Sequence, residues 1–489
     1  MIKFGEWLPD QPALGNPGVT EAKNVIPALA GYQNLRSLSA ISGAATNDIL
    51  GMFAGKDDQG VHALYVGDSG KLYRFDATDS TLTDKSKSGG YTTASSDRWR
   101  FSQFGETLLV SNFTDVIQTA TVAQAGVFAD LGGSPPKAKF LTVVRDQVVT
   151  GYTNDSDGIK PYRLRWSGIN DHTSWTSGTN LSDYQDIPDV GDCTGVVGGE
   201  YIVALFEKAI FRGVFVGAPL VFNFQQVTST LGCSVPGSVI SAGSARIFFL
   251  SDDGFYMLRG NELVGIGAEK VNRYFFSRFE ASNSSRMVAE IDALNQTVVW
   301  AYPSIDSADG SNDELLIYNY GLNRWSRAVL DCDALANLTT AGYTLEGLDT
   351  ISASVDGLPA SMDDDIWKGG SFFFAGAVDK KVSSFTGAVL DATLETNEFA
   401  TAAGQRSIVN AVLPYVEHTD SDSPTISVSV GSRLRQVDQP TFSTATTQTA
   451  DGYFPARSHG QFHRIRMSIA GEFTLAQGVD VDSKKLGVR

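Results

Sequence analysis

The sequence has little cysteine, little histidine and a deficit of basic charge. Its 489 residues include three cysteines and five histidines, and 38 Lys and Arg stand against 55 Asp and Glu, which gives a net charge of -17. Cys193, Cys233 and Cys332 form no CxxC pair. Their odd number argues against a disulfide framework and favours a reducing compartment. The acidic balance argues against a broad surface that grips nucleic acid through its phosphates.

Long hydrophobic runs are also missing. No stretch of about 18 apolar residues occurs, and the first ten residues lack the apolar core of a secretion signal. We therefore expect no membrane anchor, and a chain that stays in the cytosol or in an assembly built there. Hydrophobic residues at 42% supply a core, and 49 glycines exceed the usual share of roughly 7%, which favours short strands and many turns. The length predicts two or three folded units.

Short strands joined by tight turns recur along the chain. At 63–76 two alternating runs flank the turn residues 67–70, the pattern of a hairpin with one buried face. Further hairpins are predicted at 99–112, 140–150, 201–213, 246–258, 296–319 and 371–385.

The spacing of these hairpins indicates the fold. Reference residues in or beside the first five, namely Ser69, Asn112, Asn154, Glu207 and Asp253, lie 42 to 53 residues apart, close to the roughly 40 to 50 residues that a four-stranded propeller blade needs. A series of β-sandwich hairpins would show a similar density of strands, but the regular spacing favours a propeller. We predict an all-β protein with a six- or seven-bladed β-propeller over residues 51–390.

Two further regions flank this propeller. Residues 1–50 contain Pro9, Pro12, Pro17 and Pro27 and little periodicity, which predicts an extended N-terminal arm that lies on a neighbouring subunit or on another partner. Residues 391–489 include cleanly alternating runs at 425–430 and 461–469, which predict a C-terminal β-sandwich-like domain. The acidic stretch within 330–365 is predicted to be a long loop between strands.

Motifs for catalysis or metal binding are scarce. The sequence contains no nucleophile elbow in a suitable setting, no phosphate-binding loop and no HExxH. His459 and His463 have metal-ligand spacing only on a helix, whereas their neighbours predict a turn and a strand. We therefore assign no catalytic residue, no cofactor-binding residue and no metal ligand. The histidines considered are His62, His172, His418, His459 and His463.

Three acidic segments are candidate sites. Asp252–Asp253 and 363–365 are candidates for the carboxylate pair of a glycosidase, but a hairpin turn and a solvated loop are the favoured interpretations. Residues 154–158 (NDSDG) resemble the start of a calcium loop, but no bidentate glutamate follows at the required position. A turn is favoured there too.

Two pairs of arginines are candidates for contacts with phosphate. Arg163 and Arg165 stand beside Trp166, and Arg464 and Arg466 show the same spacing in another strand. Residues two apart on a strand share one face, so each pair can meet carboxylates. The excess of acidic residues favours ion pairing with the protein itself.

Three segments together resemble a known family. They are 162–171 (YRLRWSGIND) closing with 173–175 (TSW), the opening 8–12 (LPDQP) with 16–18 (NPG) and 22–27 (AKNVIP), and the late stretch 344–349 (TLEGLD) to 364–370 (DDIWKGG). This combination resembles the tail hub or nozzle proteins of short-tailed bacteriophages, also called packaged-DNA stabilisation proteins.

The resemblance implies a β-propeller with added β-domains that assembles as a homohexameric ring below the portal and its adaptor. It implies no catalytic residues and no cofactor. The partners would be further copies of the chain, the adaptor, and tail proteins such as fibres, spikes or a needle, in a virion assembled in the bacterial cytoplasm. DNA would pass through the channel without specific binding. The alternative is a propeller glycoside hydrolase or a receptor-binding tail protein that acts on host-surface polysaccharide.

Overall fold

The computed structural model is almost entirely β-structure. Among the residues it describes we find one α-helix, α1 (Asn272–Arg278), and three 3-10 helices at Pro188–Val190, Pro236–Ser238 and Ala281–Arg286. No helix within that part of the chain combines the length and the apolar character needed to cross a membrane. The described residues are 1–58, 62–76, 79–122, 126–243, 246–339, 354, 372–401, 404–419 and 423–486.

The N-terminal region contains five short strands. They are β1 (Ile2–Lys3), β2 (Val19–Lys23), β3 (Val25–Ala28), β4 (Gly31–Asn34) and β5 (Ser39–Ala40).

Five four-stranded antiparallel sheets then follow one another in sequence, each with its strands in chain order. This is the arrangement of propeller blades. Blade 1 is β6 (Gly51–Lys56), β7 (His62–Gly67), β8 (Leu72–Asp76) and β9 (Thr81–Asp84), and blade 2 is β10 (Arg100–Phe104), β11 (Thr107–Ser111), β12 (Gln118–Thr121) and β13 (Ala129–Asp130). Blade 3 is β14 (Lys137–Val144), β15 (Gln147–Asp155), β16 (Gly158–Trp166) and β17 (Asp183–Asp186), and blade 4 is β18 (Cys193–Val197), β19 (Ile202–Phe206), β20 (Ile210–Gly217) and β21 (Val221–Thr228). Blade 5 is β22 (Ile240–Ala242), β23 (Arg246–Ser251), β24 (Gly254–Arg259) and β25 (Glu262–Gly265).

Two more blades complete seven within the described residues. Blade 6 is β26 (Val288–Asp292), β27 (Thr297–Tyr302), β28 (Glu314–Asn319) and β29 (Arg324–Val329), and blade 7 is β30 (Ala334–Thr339), β31 (Phe372–Val378) and β32 (Lys381–Ser384) with β5 as its fourth strand. Strand β5 therefore closes the ring with N-terminal residues. Buried side chains of blade 7, such as Ala336 and Leu338, pack against Met52 and Val66 of blade 1. The predicted propeller is confirmed.

The C-terminal strands form a β-sandwich. One sheet has the order β3-β4-β39-β34-β37, and the other continues blade 6 as β29-β2-β33-β38-β35-β36. The two sheets share one core that includes Val412, Val479, Val430 and Ile465. The strands from the last blade onward are β33 (Ala392–Thr396), β34 (Ser407–Glu417), β35 (Thr425–Arg433), β36 (Thr441–Phe442), β37 (Phe454–Gly460), β38 (Phe462–Ala470) and β39 (Leu475–Lys485).

The N-terminal region differs from the extended arm that we predicted. Strands β1, β3 and β4 join one sheet of the sandwich, and β2 lies between β29 and β33 in the other. Trp7, Val19, Val25 and Tyr32 are fully buried in the same core as the C-terminal strands. The prolines suggested an extended arm, and the strands of two to five residues are too short to show the periodicity that would have predicted a sheet. The segment is part of the fold of its own chain.

The family-like segments at 8–12 and 16–18 lie at the junction between propeller and sandwich. The Asp10 carboxylate accepts hydrogen bonds of 2.8 Å from the backbone N–H groups of Arg273 and Tyr274 at the start of α1. Asn16 donates to the carbonyl of Leu8, and its side-chain oxygen accepts from the N–H of Gly18. These contacts hold the loop before β2 in one conformation.

Candidate functional site

A cavity of about 320 Å³ opens at one end of the propeller. Its walls come from residues that precede the inner strands of blades 1, 2, 6 and 7, and from turns between the second and third strands of blades 1, 6 and 7. In antiparallel blades these two positions lie at the same end of the sheet, so the cavity occupies one mouth of the propeller axis. The side chains that matter for its chemistry are Asp48, Arg98, Arg286, Asn312, Asp333 and Lys380.

Two arginines that line this cavity form no ion pair with a carboxylate among the described residues. The Arg98 guanidinium donates to the carbonyls of Ser95 and Asp97, but its buried Nε has no hydrogen-bond partner among the described residues. Burial, followed by the charges of Arg100 and Arg286, lowers the pKa of Arg98 to about 10. We find no hydrogen bond or ion pair for the Arg286 guanidinium in the described part of the chain. Unpaired like charges thus converge on one space.

Acceptor groups face the same space. Burial, with the nearby charge of Asp48, raises the pKa of Asp333 to about 6, although Arg98 and Arg286 act in the opposite direction. Asn312 is 2% exposed and donates to the carbonyls of Arg286 and Cys332. Its side-chain oxygen has no hydrogen-bond partner in the described residues. The cavity therefore offers both donors and acceptors to a small polar ligand.

A half-buried acid lies on the inner strand β26, which neighbours β30. Glu290 accepts from the N–H of Ile291 at 3.0 Å and from the Asn337 amide at 3.3 Å. Burial raises the pKa of this carboxyl from 4.5 to about 7. Glu290 has hydrogen-bond partners and does not line the cavity, so its role is structural.

The histidines lie in separate elements. His463 is buried on β38, where its Nε2 lies 2.9 Å from the Ser407 hydroxyl, and burial lowers its pKa. His459 lies on the adjacent β37, so the helix that a metal pair would need is absent there. No group of three or more potential metal ligands occurs in the described portion of the chain. The remaining histidines are His62 on β7, His172 after β16 and His418 after β34.

The predicted turn at 154–158 and the predicted pairing of Arg163 and Arg165 form one network in blade 3. Arg163 is 4% exposed and bonds to Asp157 at 2.8 Å and to both carboxylate oxygens of Asp186 at 2.7 and 3.0 Å. Arg165 bonds to Asp155 at 2.7 Å. Both predictions are confirmed. The two carboxylates of the calcium-like motif are neutralised by arginines, so cation binding would have to break these pairs.

The acidic turn at Asp252–Asp253 and the pair Arg464 and Arg466 also have structural roles. Asp253 lies in the β23–β24 turn, where its carboxylate accepts from the Tyr256 hydroxyl at 2.7 Å. Arg464 and Arg466 pair with Glu395 at 3.2 and 2.8 Å, as predicted. Residues 363–365, together with the third family-like stretch at 344–349 and 364–370, lie outside the described residues.

All three cysteines are buried free thiols. Cys193 begins β18, Cys332 lies two residues before β30, and Cys233 precedes the 3-10 helix before β22; each thiol faces the carbonyl oxygen two residues further along. Burial raises the pKa of Cys193 to about 12 and that of Cys233 to about 11, and it raises the pKa of Cys332 as well. These thiols belong to the core.

Sequence reasoning missed the cavity residues. Asp48, Arg98, Arg286 and Asp333 are spread over most of the propeller, and the ring closure brings them together. The sequence feature that these four residues share is their position a few residues before the inner strand of a blade. The sequence predicts hairpins but gives no angular position for a blade around the axis.

No family model matches the sequence, and no curated protein matches it. Solved structures with a similar fold include the computationally designed Ika8 protein, with 10% identity, a TM-score of 0.36, and coverage of 72% of this chain and 98% of that chain. YCF48 bound to D1 peptide has 13% identity, a TM-score of 0.36, and coverage of 62% and 86%. A chain of the mitotic checkpoint complex has 8% identity, a TM-score of 0.38, and coverage of 73% and 93%. The propeller assignment rests on the strand pairing described above.

Proposed function

We propose that this chain is a structural protein of a phage tail. In this proposal it forms a ring, the hub or nozzle, below the portal and adaptor, where it retains packaged DNA and forms the channel for DNA ejection. The observation that carries the proposal is the nine-stranded sheet that runs from blade 6 through β2 into the sandwich.

This continuous sheet suits a ring that bears force. Domains joined by a flexible linker move relative to each other, whereas here β2 pairs with β29 on one side and with β33 on the other. The Arg327 guanidinium adds an ion pair to Glu21 across the first of these contacts, at 2.9 Å. Propeller and sandwich therefore act as one body, as a ring subunit under DNA pressure requires. The family-like segment 8–27 builds this junction.

The charge of the chain supports passage of DNA without specific binding. A net charge of -17 gives repulsion toward phosphates, which lowers the affinity of any channel wall for DNA. A DNA channel must release its cargo during ejection, so weak binding suits this role.

An exposed apolar hairpin in blade 4 is the contact that we propose between neighbouring subunits. Val216 and Leu220, at the tip of β20 and β21, are 52% and 65% exposed, and Val214 on the same strand is also exposed. Grouped apolar side chains on a surface mark interaction sites more often than isolated ones do. Burial of this tip against the next copy would help to close a ring.

The test is DNA retention by filled heads that carry portal and adaptor. Heads completed with the full chain should keep their DNA protected from nuclease, and heads without it should lose DNA. The variant Val216→Asp with Leu220→Asp should abolish the protection, whereas Leu294→Asp, at a residue 71% exposed in blade 6, should retain it. Equal DNA retention with and without the chain would refute the proposed function.

A further inference from the structure

The cavity at the mouth of the propeller axis has features that its structural surroundings leave unexplained. Its basic and acidic side chains lie close enough to shift each other's pKa values, yet no ion pair joins Arg98 or Arg286 to Asp48 or Asp333 in the described chain. The charged side chains around Arg163 and Glu395, by contrast, form ion pairs. Charged groups left unpaired around a cavity are typical of a binding site.

We propose that this cavity binds a small hydroxylated carboxylate, of which a sugar acid is the simplest representative. This inference does not depend on the ring function, because it concerns the chemistry of one chain. The carboxylate of the ligand would lie between Arg98 and Arg286, and its hydroxyl groups would donate to Asp48 and Asp333.

The two arginines account for the carboxylate. Arg98 lines the cavity with a guanidinium whose hydrogen bonds in the described residues go to the carbonyls of Ser95 and Asp97, and the Arg286 guanidinium is unbonded in the described residues. The two cations repel each other, so an anion bound between them removes a repulsion as well as forming charge-assisted hydrogen bonds. Lys380, whose Nζ makes only a 3.4 Å contact with the carbonyl of Thr46, adds a third cation at the rim.

The acceptors account for the hydroxyl groups. The carboxylates of Asp48 and Asp333 can accept hydrogen bonds, but they would repel a ligand that carried only negative charge. A simple anion such as acetate leaves these acceptors unsatisfied, and a neutral sugar leaves the arginines unsatisfied. A hydroxylated carboxylate meets both requirements.

The size of the cavity limits the ligand to a small molecule. Its volume of about 320 Å³ lies at the lower end of the roughly 300–1,000 Å³ that ligand pockets span. A monosaccharide fits this volume, and a longer saccharide would have to extend into solvent with all but its end residue.

The test is titration calorimetry of the full chain near neutral pH with three probes. D-glucuronate should bind. The methyl ester of glucuronic acid, which keeps the hydroxyls without the charge, and acetate, which keeps the charge without the hydroxyls, should each bind at least about tenfold more weakly. If glucuronate fails to bind at about 10 mM, or if acetate binds equally well, the proposal is wrong.

Variants assign the binding to this cavity. Arg286→Gln should weaken glucuronate binding at least about tenfold without changing the thermal midpoint, since this guanidinium makes no bond within the described fold. Lys380→Gln serves as a second variant with a smaller loss. Arg259→Gln, an exposed arginine at the end of β24, should bind as the parent does. Glucuronate binding that is unchanged in both cavity variants would overturn the assignment. DNA retention by heads is a separate readout, so the two proposals can fail independently.

Discussion

At the scale of single residues, the buried ionisable groups fall into two classes. Arg163 and Glu395 have partners of opposite charge at hydrogen-bond distance, which offset the cost of burial. Glu290 is half-buried and the three cysteines are buried, all without an opposite charge, so burial alone dominates their pKa values. The groups in the second class lead to two predictions, one on how stability depends on pH and one on the reactivity of the thiols.

Glu290→Gln should reduce the loss of stability at high pH. The folded state raises the pKa of this carboxyl from 4.5 to about 7, so its protonated form stabilises the fold at low pH. This contribution is lost as the pH rises between these two values. The variant should therefore be more stable than the parent by about 1–3 kcal/mol at about pH 8 and equally stable at about pH 4. Denaturant unfolding measures both.

The exposed Glu262→Gln serves as the control for this experiment and should change the stability little at either pH. Parent and Glu290→Gln curves with the same dependence on pH would contradict the assignment of a raised pKa to Glu290.

The three cysteines should resist alkylation in the folded protein. Their thiols are buried and their pKa values are raised, so both access and the thiolate fraction are low. We expect no modification of the native chain by N-ethylmaleimide over minutes and modification of all three residues after unfolding, as read by mass spectrometry. Rapid labelling of a native thiol would show that an inter-blade core opens readily.

Residue roles were predictable from the sequence where the partners are close along the chain. Arg163 and Arg165 alternate on one strand, with Asp155 and Asp157 across a short turn, and the structure pairs them. The cavity was not predictable, because Arg98 and Arg286 meet only after four blades have been placed around an axis. Long-range contacts of this kind leave no local pattern.

At the scale of elements, the hairpins were predictable from the sequence, but the pairing of β5 and β2 with distant strands was not. The predicted hairpin at 63–76 corresponds to β7 and β8, but β7 is buried on both faces rather than on the one face that we predicted, because blades pack against it on each side. Strand β5 has two residues and β2 has five, and each is recruited by a partner more than 340 residues away. The strand conformation of such short segments is determined by pairing with the edge of an existing sheet, and local sequence does not predict it.

The junction before β2 depends on a glycine. A Cβ on Gly18 would lie 1.8 Å from the backbone oxygen of Glu6, a contact that only a backbone shift can relieve. Gly18→Ala should therefore lower the free energy of unfolding by about 1–3 kcal/mol. Gly132→Ala is the control, because nothing lies within 4 Å of its Cβ position. Thermal and denaturant unfolding measure both, and equal stability of the two variants would contradict the proposed packing.

At the scale of the whole molecule, the N-terminal region ties propeller and sandwich together. Deletion of residues 1–30 removes β2, β3 and the buried Trp7, and it leaves apolar edges of both sheets exposed. We expect the truncated chain to lose cooperative unfolding or to aggregate, as measured by circular dichroism and gel filtration. A truncated chain that unfolds like the parent would mean that residues 1–30 act as a separable arm, as the prolines first suggested.

Ring formation is the property on which the proposed function depends. In the proposed ring, the attachment of the sandwich would bear load, the exposed tip of blade 4 would contact the next subunit, and the acidic charge would weaken DNA binding. Native mass spectrometry of the full chain, alone and with the portal adaptor, measures the copy number directly. We expect six copies of the 52.4 kDa chain in the complex with the adaptor. A chain that remains monomeric in the presence of the adaptor would contradict the proposal.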